Sequence, residues 1–431
     1  MKELEKGQVI TEKEIPCDND WQTEFVINDS QLNAPDCAIL NFSEYQKFTA
    51  IVDETEQTIT SVNEQSENIS ITLETVPASG KTIHVSYQHL EIERCQNIAQ
   101  IGEVKECVNF GDFKKYFGGD FLNPDEEDTK GQNALAHAVY GFFQNGGTRC
   151  YVAWTKEETE VKEVLEKFDG IDDISIVAAP GSSNQNIQEM IKTHCENMGD
   201  RIAVLDSNNL TTHDKNDISQ GRDSDYAALY YPWIQVKDPA SNKNILVPPS
   251  GHIAGVYARV DNQRGVHKAP ANETIRGALE LPFNISKAQQ DGLNPQGINC
   301  IRKLNGNIKI WGARTLGGNA NGEFKYVNVR RYFNYLKRSI DEGTQWTVFE
   351  PNTPELWARI RRNITAFLTN EWRQGALFGT SPEQAFFVKC DEENNPPEVR
   401  DVGQVVTEIG VSVIKPAEFV IFQLSQWTAG N

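Results

Sequence analysis

Two apolar runs separated by a helical pattern constrain the fold of this 431-residue chain most strongly. The runs are "DISIVAAPG" at 173–181 and "RIAVLDS" at 201–207, and the residues between them carry a helix pattern at 185–198. Strands that are apolar on both faces are typical of a parallel sheet that helices cover on both sides. The sequence therefore predicts an α/β domain, which we place at 96–245.

Two more helices are predicted in the same domain. One covers 134–147 and ends at Gly146 and Gly147, because glycine readily adopts the left-handed conformation that closes a helix. The other covers the Glu/Lys-rich segment 157–168. The turn "APGSSN" that follows the strand at 173–181 has neither of the two glycine-rich phosphate-binding patterns, so we expect no nucleotide site there.

The remaining segments differ from this domain in pattern. The first, 1–35, is polar with two short strand-like runs, and we interpret it as an N-terminal arm. The second, 36–95, alternates apolar and polar residues around a Pro-Ala-Ser-Gly turn, which predicts a small antiparallel β unit. The third, 246–431, mixes helix and strand patterns. The expected fold class is therefore a multidomain chain with α/β, α+β and small β parts.

The predicted elements of 246–431 begin with a helix over "EFKYVNVRRYFNYLKRSIDEGT" and a strand over "TQWTVFEPN" at 344–352. A second helix is predicted to start near Asn352, which stands three residues before Glu355 as in a capping box. The segment "EQAFFVKCD" at 383–391 is typical of another strand. The second helix carries one apolar stripe, formed by Leu356, Ile360, Ile364, Phe367 and Leu368.

Three arginines of that helix, Arg359, Arg361 and Arg362, lie off the apolar stripe. They can form a solvated face whose exposed charges contribute little. They can also dock on an acidic partner, and three nearby tryptophans favour this, since Trp and Arg are enriched in interface cores. The residues alone leave both interpretations open.

The segment "AEFVIFQLSQW" at 417–427 is almost entirely apolar and is predicted to be a strand. Such a strand can complete a sheet of its own chain. It can also pair with the edge of another molecule's sheet. Left uncovered it would promote aggregation, so one of these two partners is expected.

The charge distribution excludes several classes of protein. The formal net charge is −20, and a surface this acidic repels nucleic acid and anionic membranes. Residues 325–374 are the exception, with nine Lys/Arg against five Asp/Glu. No stretch of about 18 apolar residues is present to span a bilayer. The charged opening "MKELEKGQVITEKEI" has no apolar core, so we expect no secretory signal.

The cysteine pattern predicts neither a metal site nor a cofactor. Eight cysteines are spread along the chain without a CxxC pair or a Cys/His cluster, whereas zinc sites need closely spaced ligands. We expect reduced and mostly buried thiols.

The segment "PPSGHIAGVYARVDNQRGVHKAPAN" at 248–272 concentrates histidine, arginine and glycine. One hypothesis is a cytosolic α/β enzyme in which His252 or His267 acts as a general base and Asp261 orients it. The chain has no nucleophile-elbow or metalloprotease motif that would supply the rest of such a site. The alternative is that the segment only shapes the chain.

The same segment and those that follow resemble the contractile tail sheath family, the sheath proteins of phage tails and phage-tail-like injection particles. The resemblance covers 246–428 in order, and it extends with lower specificity to "FGDFKKYFGG" and "FFQNGGTRCYVAW". It is poor over 1–95. Its motifs are "PPSGHIAGVYARVDNQRGVHKAPAN", "LNPQGINCIR", "IWGARTL", "YVNVRRYFNYLKRSI", "GTQWTVFEPN", "LWARIRRNITAFL", "WRQGALFGTSPEQAFFVKCD" and "GQVVTEIGVSVIKPAEFVIFQL".

This resemblance implies a structural protein with no active site and no cofactor. It implies subunits that polymerise helically around an inner tube and contract to drive the tube through a target cell envelope. The implied partners are further copies of the chain, the tube protein, baseplate and terminator or cap proteins, and sibling sheath proteins. It also implies assembly in the cytoplasm and release by lysis. Whether the particle is a phage tail or a cellular contractile injection system stays open.

The resemblance also implies roles for particular residues. Arg359, Arg361 and Arg362 are expected to face the inner tube, and 36–95 is expected to be an outward-facing insertion. A second set is expected to exchange strands between subunits, namely Phe419, Val420, Ile421, Phe422 and Leu424. A third is expected to shape a sharply turned entry into the core, with the glycines permitting backbone bends, namely Gly251, His252, Gly255, Tyr257, Arg259, Arg264 and Gly265.

Overall fold

A computed structural model of the chain describes the strands within residues 8–90 and the segments 99–118, 133–155, 157–210, 213–218 and 221–419. The chain divides into two compact units. The first contains the residues up to 100 together with 114–118, and the second contains 101–113 and the chain from 133 onward. Both helices and several separate sheets are present, so the fold is mixed.

The first unit holds two antiparallel sheets, as the alternation of apolar and polar residues predicts. One sheet has the strand order β1-β7-β3-β4 and the other the order β2-β6-β5. The longest ladder pairs β1 with β7 from Gln8↔Leu90 to Pro16↔Thr82. The strands are β1 (Gln8–Pro16), β2 (Glu24–Ile27), β3 (Thr49–Val52), β4 (Thr55–Gln57), β5 (Ile59–Gln65), β6 (Asn68–Leu73) and β7 (Thr82–Leu90).

The second unit is built on a six-stranded sheet with the order β10-β11-β12-β17-β18-β15. Its first four strands are parallel, and β17, β18 and β15 pair antiparallel. Three small sheets, β14-β13-β16, β8-β9 and β19-β20, complete the described strands. Their bounds are β8 (Lys105–Cys107), β9 (Cys150–Val152), β10 (Ile176–Val177), β11 (Ile202–Asp206), β12 (Ala227–Tyr231), β13 (Ile234–Lys237), β14 (Asn244–Val247), β15 (Glu273–Thr274), β16 (Ala278–Glu280), β17 (Ile298–Leu304), β18 (Asn307–Ile310), β19 (Phe386–Lys389) and β20 (Glu408–Val411).

Ten α-helices lie in the part of the chain that the structure describes. Several begin or end at residues suited to the position. The Asn133 side chain accepts a hydrogen bond from the Ala136 amide at the start of α2, and Gly146 closes that helix at φ 112°. The helices are α1 (Phe110–Phe117), α2 (Ala134–Asn145), α3 (Glu158–Asp169), α4 (Gln185–Met198), α5 (Ser250–Arg264), α6 (Lys287–Leu293), α7 (Val327–Thr344), α8 (Pro354–Arg373), α9 (Pro382–Ala385) and α10 (Pro397–Asp401).

Two predicted strands differ from the structure. The run at 173–181 contributes only Ile176–Val177, because the chain then turns at Gly181, whose amide donates to the Asp206 carboxylate. The predicted strand at 344–352 is wrong. Gln345–Thr347 forms a single 3₁₀ turn, and Phe349 adopts a left-handed conformation at φ 65°, outside the β region.

The largest correction concerns 248–272. The prediction of a sharply turned chain is wrong for most of this segment, since Ser250–Arg264 forms one continuous helix, α5. Of its three predicted bend glycines, only Gly265, at φ 93°, is left-handed, and it lies where the helix ends. Helix α5 packs against the parallel sheet through Ile253, Val256 and Val260.

A separate core lies between α7, α8 and the β19-β20 sheet. The apolar stripe predicted for α8 faces this core, since Leu356, Ile360, Ile364 and Leu368 are buried and Phe367 packs at its margin. The Leu356–Leu368 stripe is thus confirmed. Across the described residues, no helix is long and apolar enough to cross a membrane.

Candidate assembly interface

Helices α2 and α5 approach each other so closely that glycine is required at the contact. A Cβ at Gly255 would overlap the Phe142 carbonyl oxygen, and a Cβ at Gly251 would overlap the Ala138 backbone. These two glycines therefore permit close helix packing and not a backbone bend. The prediction that Gly251 and Gly255 are structurally important is correct, but the predicted role in backbone bends is wrong.

Polar residues of α5 fix the helix to the elements around it. Arg259 is buried and donates to the Asn145 carbonyl at 3.0 Å and to the Thr274 carbonyl at 2.7 Å. Asp261 accepts two hydrogen bonds from Arg331 of α7, at 2.9 and 2.5 Å. Such bidentate pairs fix geometry as well as charge. The Arg264 side chain lies exposed in the last turn.

The N-terminus of α5 is held by a buried carboxylate at the end of β11. Asp206 accepts hydrogen bonds from the Ser250 amide at 2.8 Å, the Ser250 hydroxyl at 2.6 Å and the Gly181 amide at 3.0 Å. Burial raises the pKa of Asp206 to about 6, although these hydrogen bonds act in the opposite direction. This carboxylate joins three segments that are distant in sequence.

The structure separates the residues of the enzyme hypothesis. His252 is only 2% exposed, and burial lowers its pKa to about 4, with a smaller contribution from His137. His267 stacks edge-on against Tyr332 at 6.3 Å between ring centres. The Asp261 carboxylate is bonded to Arg331 and orients neither histidine. Tyr257, also buried, shares a hydrogen bond between hydroxyls with Tyr230.

The three arginines of α8 differ in their surroundings. Arg361 is half-buried and donates to the Cys390 carbonyl, so it stabilises the fold around β19. Arg359 lies over the Trp346 ring at 4.3 Å and 3.5 Å from Glu350. Arg362 is exposed. The predicted basic face therefore has two outward members, Arg359 and Arg362.

A shallow, open patch of helix surface lies beside these arginines. It is lined by small side chains of α8 and by two of the arginines, namely Ala358, Arg361, Arg362, Thr365 and Ala366. Nearby, Val348 and Phe349 expose about 62% and 102% of their surface in the turn before the helix. Large apolar side chains exposed beside arginine are typical of contact surfaces.

The chain is anchored just before its C-terminal apolar segment. Glu418 accepts hydrogen bonds from the Arg314 guanidinium at 2.7 and 2.8 Å and from the Tyr326 hydroxyl at 2.9 Å. Arg314 is 5% exposed, and burial, then Glu418, raises the pKa of Tyr326 to about 12. The following residue, Phe419, is 60% exposed. Val420, Ile421, Phe422 and Leu424 lie outside the described residues.

The β19-β20 sheet presents open edges and exposed aromatic rings. Within the described chain the two strands pair with each other, from Phe386↔Val411 to Lys389↔Glu408. The Phe387 ring, on β19, is 53% exposed, and Phe378 is 70% exposed. A Cβ at Gly410 would overlap the Phe387 ring, so this ring lies flat across the glycine. Two-stranded sheets are marginal alone, and unpaired edges can accept a further strand.

Sequence reasoning missed the anchor formed by Arg314, Tyr326 and Glu418. A glutamate inside an otherwise apolar run was the available signal, because a charged residue there needs a buried partner. The partner could not be found, since it stands 104 residues away. Among the residues whose side chains are described, no cluster of three or more His, Cys, Asp or Glu could hold a metal ion.

Two family models match successive parts of the chain. The model of the phage tail sheath protein central domain matches residues 156–316, and that of the phage tail sheath C-terminal domain matches residues 319–426. Together they take in the parallel sheet, α5, α7, α8 and the β19-β20 sheet.

Curated relatives of the chain are also tail sheath proteins. The tail sheath protein of Vibrio phage KVP40 is 30% identical over 222 residues, which cover 51% of this chain and 30% of that protein. A putative prophage major tail sheath protein of Pseudomonas aeruginosa strain UCBPP-PA14 is 25% identical over 264 residues, covering 58% and 65%. The chain thus spans less than two thirds of the length of each of these relatives.

Solved structures place the fold among sheath proteins of contractile particles. The sheath complex of the extracellular contractile injection system PVC, in its contracted state, is 30% identical with a TM-score of 0.66, over 76% of this chain and 87% of that one. The helical sheath of the anti-feeding prophage (AFP), also contracted, is 28% identical with a TM-score of 0.62, over 78% and 90%. The chain belongs to the contractile tail sheath family.

Family membership decides between the sheath interpretation and the enzyme hypothesis. The family consists of structural sheath proteins. The sheath interpretation is therefore confirmed, and the enzyme based on His252 or His267 is not supported.

Proposed function

We propose that this chain is a structural subunit that polymerises helically around an inner tube and contracts to drive the tube through a cell envelope. The observation that carries the proposal is the 30% identity to the PVC sheath over 87% of that chain. Energy for the movement would come from the difference in free energy between two packings of the same subunits. A few kcal/mol per subunit, summed over many copies, suffices for such work.

Electron microscopy tests this function directly. The chain is expressed together with tube and baseplate proteins of a contractile particle, and the products are imaged by negative stain. Striated cylinders around a tube, which shorten and widen on acid or denaturant treatment, are expected. A preparation that contains tubes and folded chain but no cylinders would contradict the proposal.

Strand exchange between subunits is the second part of the proposal. The Glu418 anchor fixes the point from which the apolar segment departs, and Phe419 points into solvent there. The open edges of β19 and β20 and the exposed Phe387 and Phe378 rings suit a strand from a neighbouring copy. We therefore assign Phe419 and the residues after it to a strand that a neighbour's β19-β20 sheet accepts.

Contact with the inner tube is assigned to the outer face of α8. Arg359 and Arg362 supply positive charge, and the small side chains of Ala358 and Ala366 on the same face allow close approach of another chain. Opposite charges across such an interface accelerate association and select the partner. Arg361 is removed from the contact set that the sequence predicted, because its guanidinium is bonded within the chain.

The remaining predictions complete the proposal. We keep 1–35, 36–95, 96–245 and 246–431 as segments of the sequence, with 36–95 as an outward-facing insertion. They are not four separate folding units, because β1 pairs with β7 across the first limit and β12 pairs with β17 across the last. Baseplate proteins, cap proteins and sibling sheath proteins are the further partners. Assembly takes place in the cytoplasm and release follows lysis. Of the two kinds of particle, the match to the PVC and AFP sheaths favours a phage-tail-like injection system over a phage tail.

A further inference from the structure

Two cysteines face each other across the β8-β9 ladder. Cys107 is the register partner of Cys150 in this antiparallel pair. Direct partners on antiparallel strands have their side chains on one face and their Cα atoms about 4.5–5.5 Å apart. A disulfide requires Cα atoms about 4.4–6.8 Å apart. The backbone thus already holds two free thiols at a separation that a disulfide can bridge.

The two thiols influence each other's ionisation. The neighbouring Cys150 thiol lowers the pKa of Cys107, against its burial and the nearby Asp112 and Glu106 carboxylates. The neighbouring Cys107 thiol and burial raise the pKa of Cys150. Cys107 is fully buried, whereas Cys150 is half-buried. A reagent in solution therefore meets Cys150 first and Cys107 only behind it.

The other described cysteines provide internal comparisons. Cys195 lies in α4, Cys300 in β17, and Cys390 follows β19, and all three are buried. Burial raises the pKa of Cys300 to about 12 and that of Cys195 further. Burial keeps solution reagents away from these three thiols, whereas Cys150 is half-buried and within reach.

We propose that Cys107 and Cys150 are a redox-responsive site that closes into a cross-strand disulfide when the protein meets a small-molecule disulfide. In the first step, the Cys150 thiol, the more exposed of the two, loses its proton, and its sulfur attacks the small disulfide, which forms a mixed disulfide and releases one small thiol. In the second step, the Cys107 thiolate attacks the Cys150 sulfur and releases the second small thiol. The protein loses two protons and two electrons, and the oxidant is reduced to two thiols.

The bond would connect the two ends of the 107–150 loop, which contains α1 and α2. Helix α2 is the partner of α5 at the close glycine contact. The disulfide would keep these elements together when the chain is under load. A reducing cytoplasm keeps the pair open, and an oxidising exterior closes it. The site goes beyond the proposed sheath function and does not depend on it.

Peptide mapping of the full-length protein tests the site. Reduced, folded protein is incubated with oxidised glutathione, alkylated with N-ethylmaleimide in denaturant and digested with trypsin without reductant. Cleavage after Lys105, Lys114, Arg149 and Lys156 releases the peptides 106–114 and 150–156. We expect these two peptides to be linked, lighter than their sum by about two mass units, and to separate on reduction. Two alkylatable thiols are lost while Cys195, Cys300 and Cys390 remain alkylated.

Single variants identify the order of the two steps. In Cys107→Ser, we expect Cys150 to remain a mixed disulfide with glutathione, because the thiol that displaces it is absent. In Cys150→Ser, Cys107 should stay fully alkylatable after unfolding, since no reagent reaches it in the folded chain. Circular dichroism before oxidation verifies the fold of both variants. A wild-type protein that keeps both thiols free, retains glutathione on Cys150, or links either cysteine elsewhere would overturn the proposal.

Discussion

Two buried titratable side chains near the start of α5 respond to pH in opposite directions. Asp206 has its pKa raised to about 6, and His252 has its pKa lowered to about 4, both mainly because burial disfavours the charged form. At pH 5 the folded chain therefore keeps both groups neutral. In the unfolded chain both are charged at that pH, since their ordinary pKa values are 3.8 and 6.5.

The sign of each contribution follows from proton binding. Between pH 6.5 and 4, the unfolded His252 binds a proton that the folded one does not, so its contribution to stability falls as the pH falls. Between pH 3.8 and 6, the folded Asp206 binds a proton that the unfolded one does not, so its contribution falls as the pH rises. Each amounts to at most about 3 kcal/mol. In the wild type the two partly cancel.

Substituting one of these two side chains should leave the pH dependence contributed by the other unopposed. The free energy of unfolding of the wild type, His252→Gln and Asp206→Asn is measured by chemical denaturation from pH 4 to 7.5. Relative to wild type, we expect His252→Gln to gain stability toward low pH and Asp206→Asn to gain it toward high pH. Only these slopes are compared, because each substitution also changes local packing. Differences from wild type that do not change with pH would show that burial shifts neither group.

The crossing of α2 and α5 is decided by sterics at single glycines. A Cβ at Gly255 would collide with the backbone oxygen of Phe142, which cannot move away as a side chain can. We expect Gly255→Ala to lower the free energy of unfolding by about 1–3 kcal/mol, because overpacking outweighs the better helix propensity of alanine. The midpoint of denaturant unfolding measures this.

A matched control for that substitution exists in α6. Gly292 also lies in a helix, but a Cβ there would have no atom within 4 Å. Gly292→Ala should therefore raise stability by about 0.5–1 kcal/mol through propensity alone. If Gly255→Ala shifted the midpoint in the same direction as Gly292→Ala, the close helix contact would be refuted.

How far the sequence predicts each element depends on whether its shape is set locally. The 185–198 helix and the α8 stripe were predicted correctly, because their periodicity lies inside the segment itself. The capping box predicted at Asn352 is wrong, since Thr353 precedes α8 without a side-chain cap bond and Asn352 bonds to Trp357 and Gln404 instead. Helix α5 was predicted as a turned chain, because its glycines and histidines are unfavourable locally and are explained only by α2. The Glu418 anchor was missed for the same reason, since its partner Arg314 is far away in sequence.

Charge reversal on α8 tests the proposed contact with the tube. The double substitution Arg359→Glu and Arg362→Glu changes exposed side chains, so we expect a folded monomer whose melting curve shifts only slightly, through loss of the Arg359 contacts with Trp346 and Glu350. Assembly on tubes should be lost, because the proposed contact pairs these arginines with an acidic tube surface, and like charges would then face each other. Co-sedimentation with tubes measures binding. The control is Lys162→Glu with Lys237→Glu, which makes the same change of net charge at exposed positions on α3 and β13.

The Arg361→Glu variant distinguishes an effect on the fold from an effect on the tube interface. Arg361→Glu removes the donor to the Cys390 carbonyl, so it should lower the melting temperature and not only assembly. Sedimentation of the Arg359/Arg362 double variant with tubes at wild-type levels would assign the arginines to a solvated face instead.

At the scale of the whole molecule, the decisive question is which sheet receives the C-terminal segment. The ion pair of Glu418 with the buried Arg314 must stay intact in any test, because a lone buried charge would destabilise the fold by itself. We therefore remove 420–431 and keep Glu418 and Phe419. If a neighbouring copy accepts the segment, the truncated chain should stay a folded monomer with the wild-type melting temperature and form no cylinders.

A segment that instead completed its own sheet would give a different result. Its removal would expose the β19-β20 core and lower the melting temperature, which tryptophan fluorescence reports because Trp357 and Trp372 belong to that core. Deletion of 429–431 alone is the control, since it leaves the predicted strand whole and should preserve cylinders in micrographs. In the proposed assembly the truncation removes one link between subunits, the donated strand. If the chain lacking 420–431 still formed cylinders, the subunits would have to be connected elsewhere.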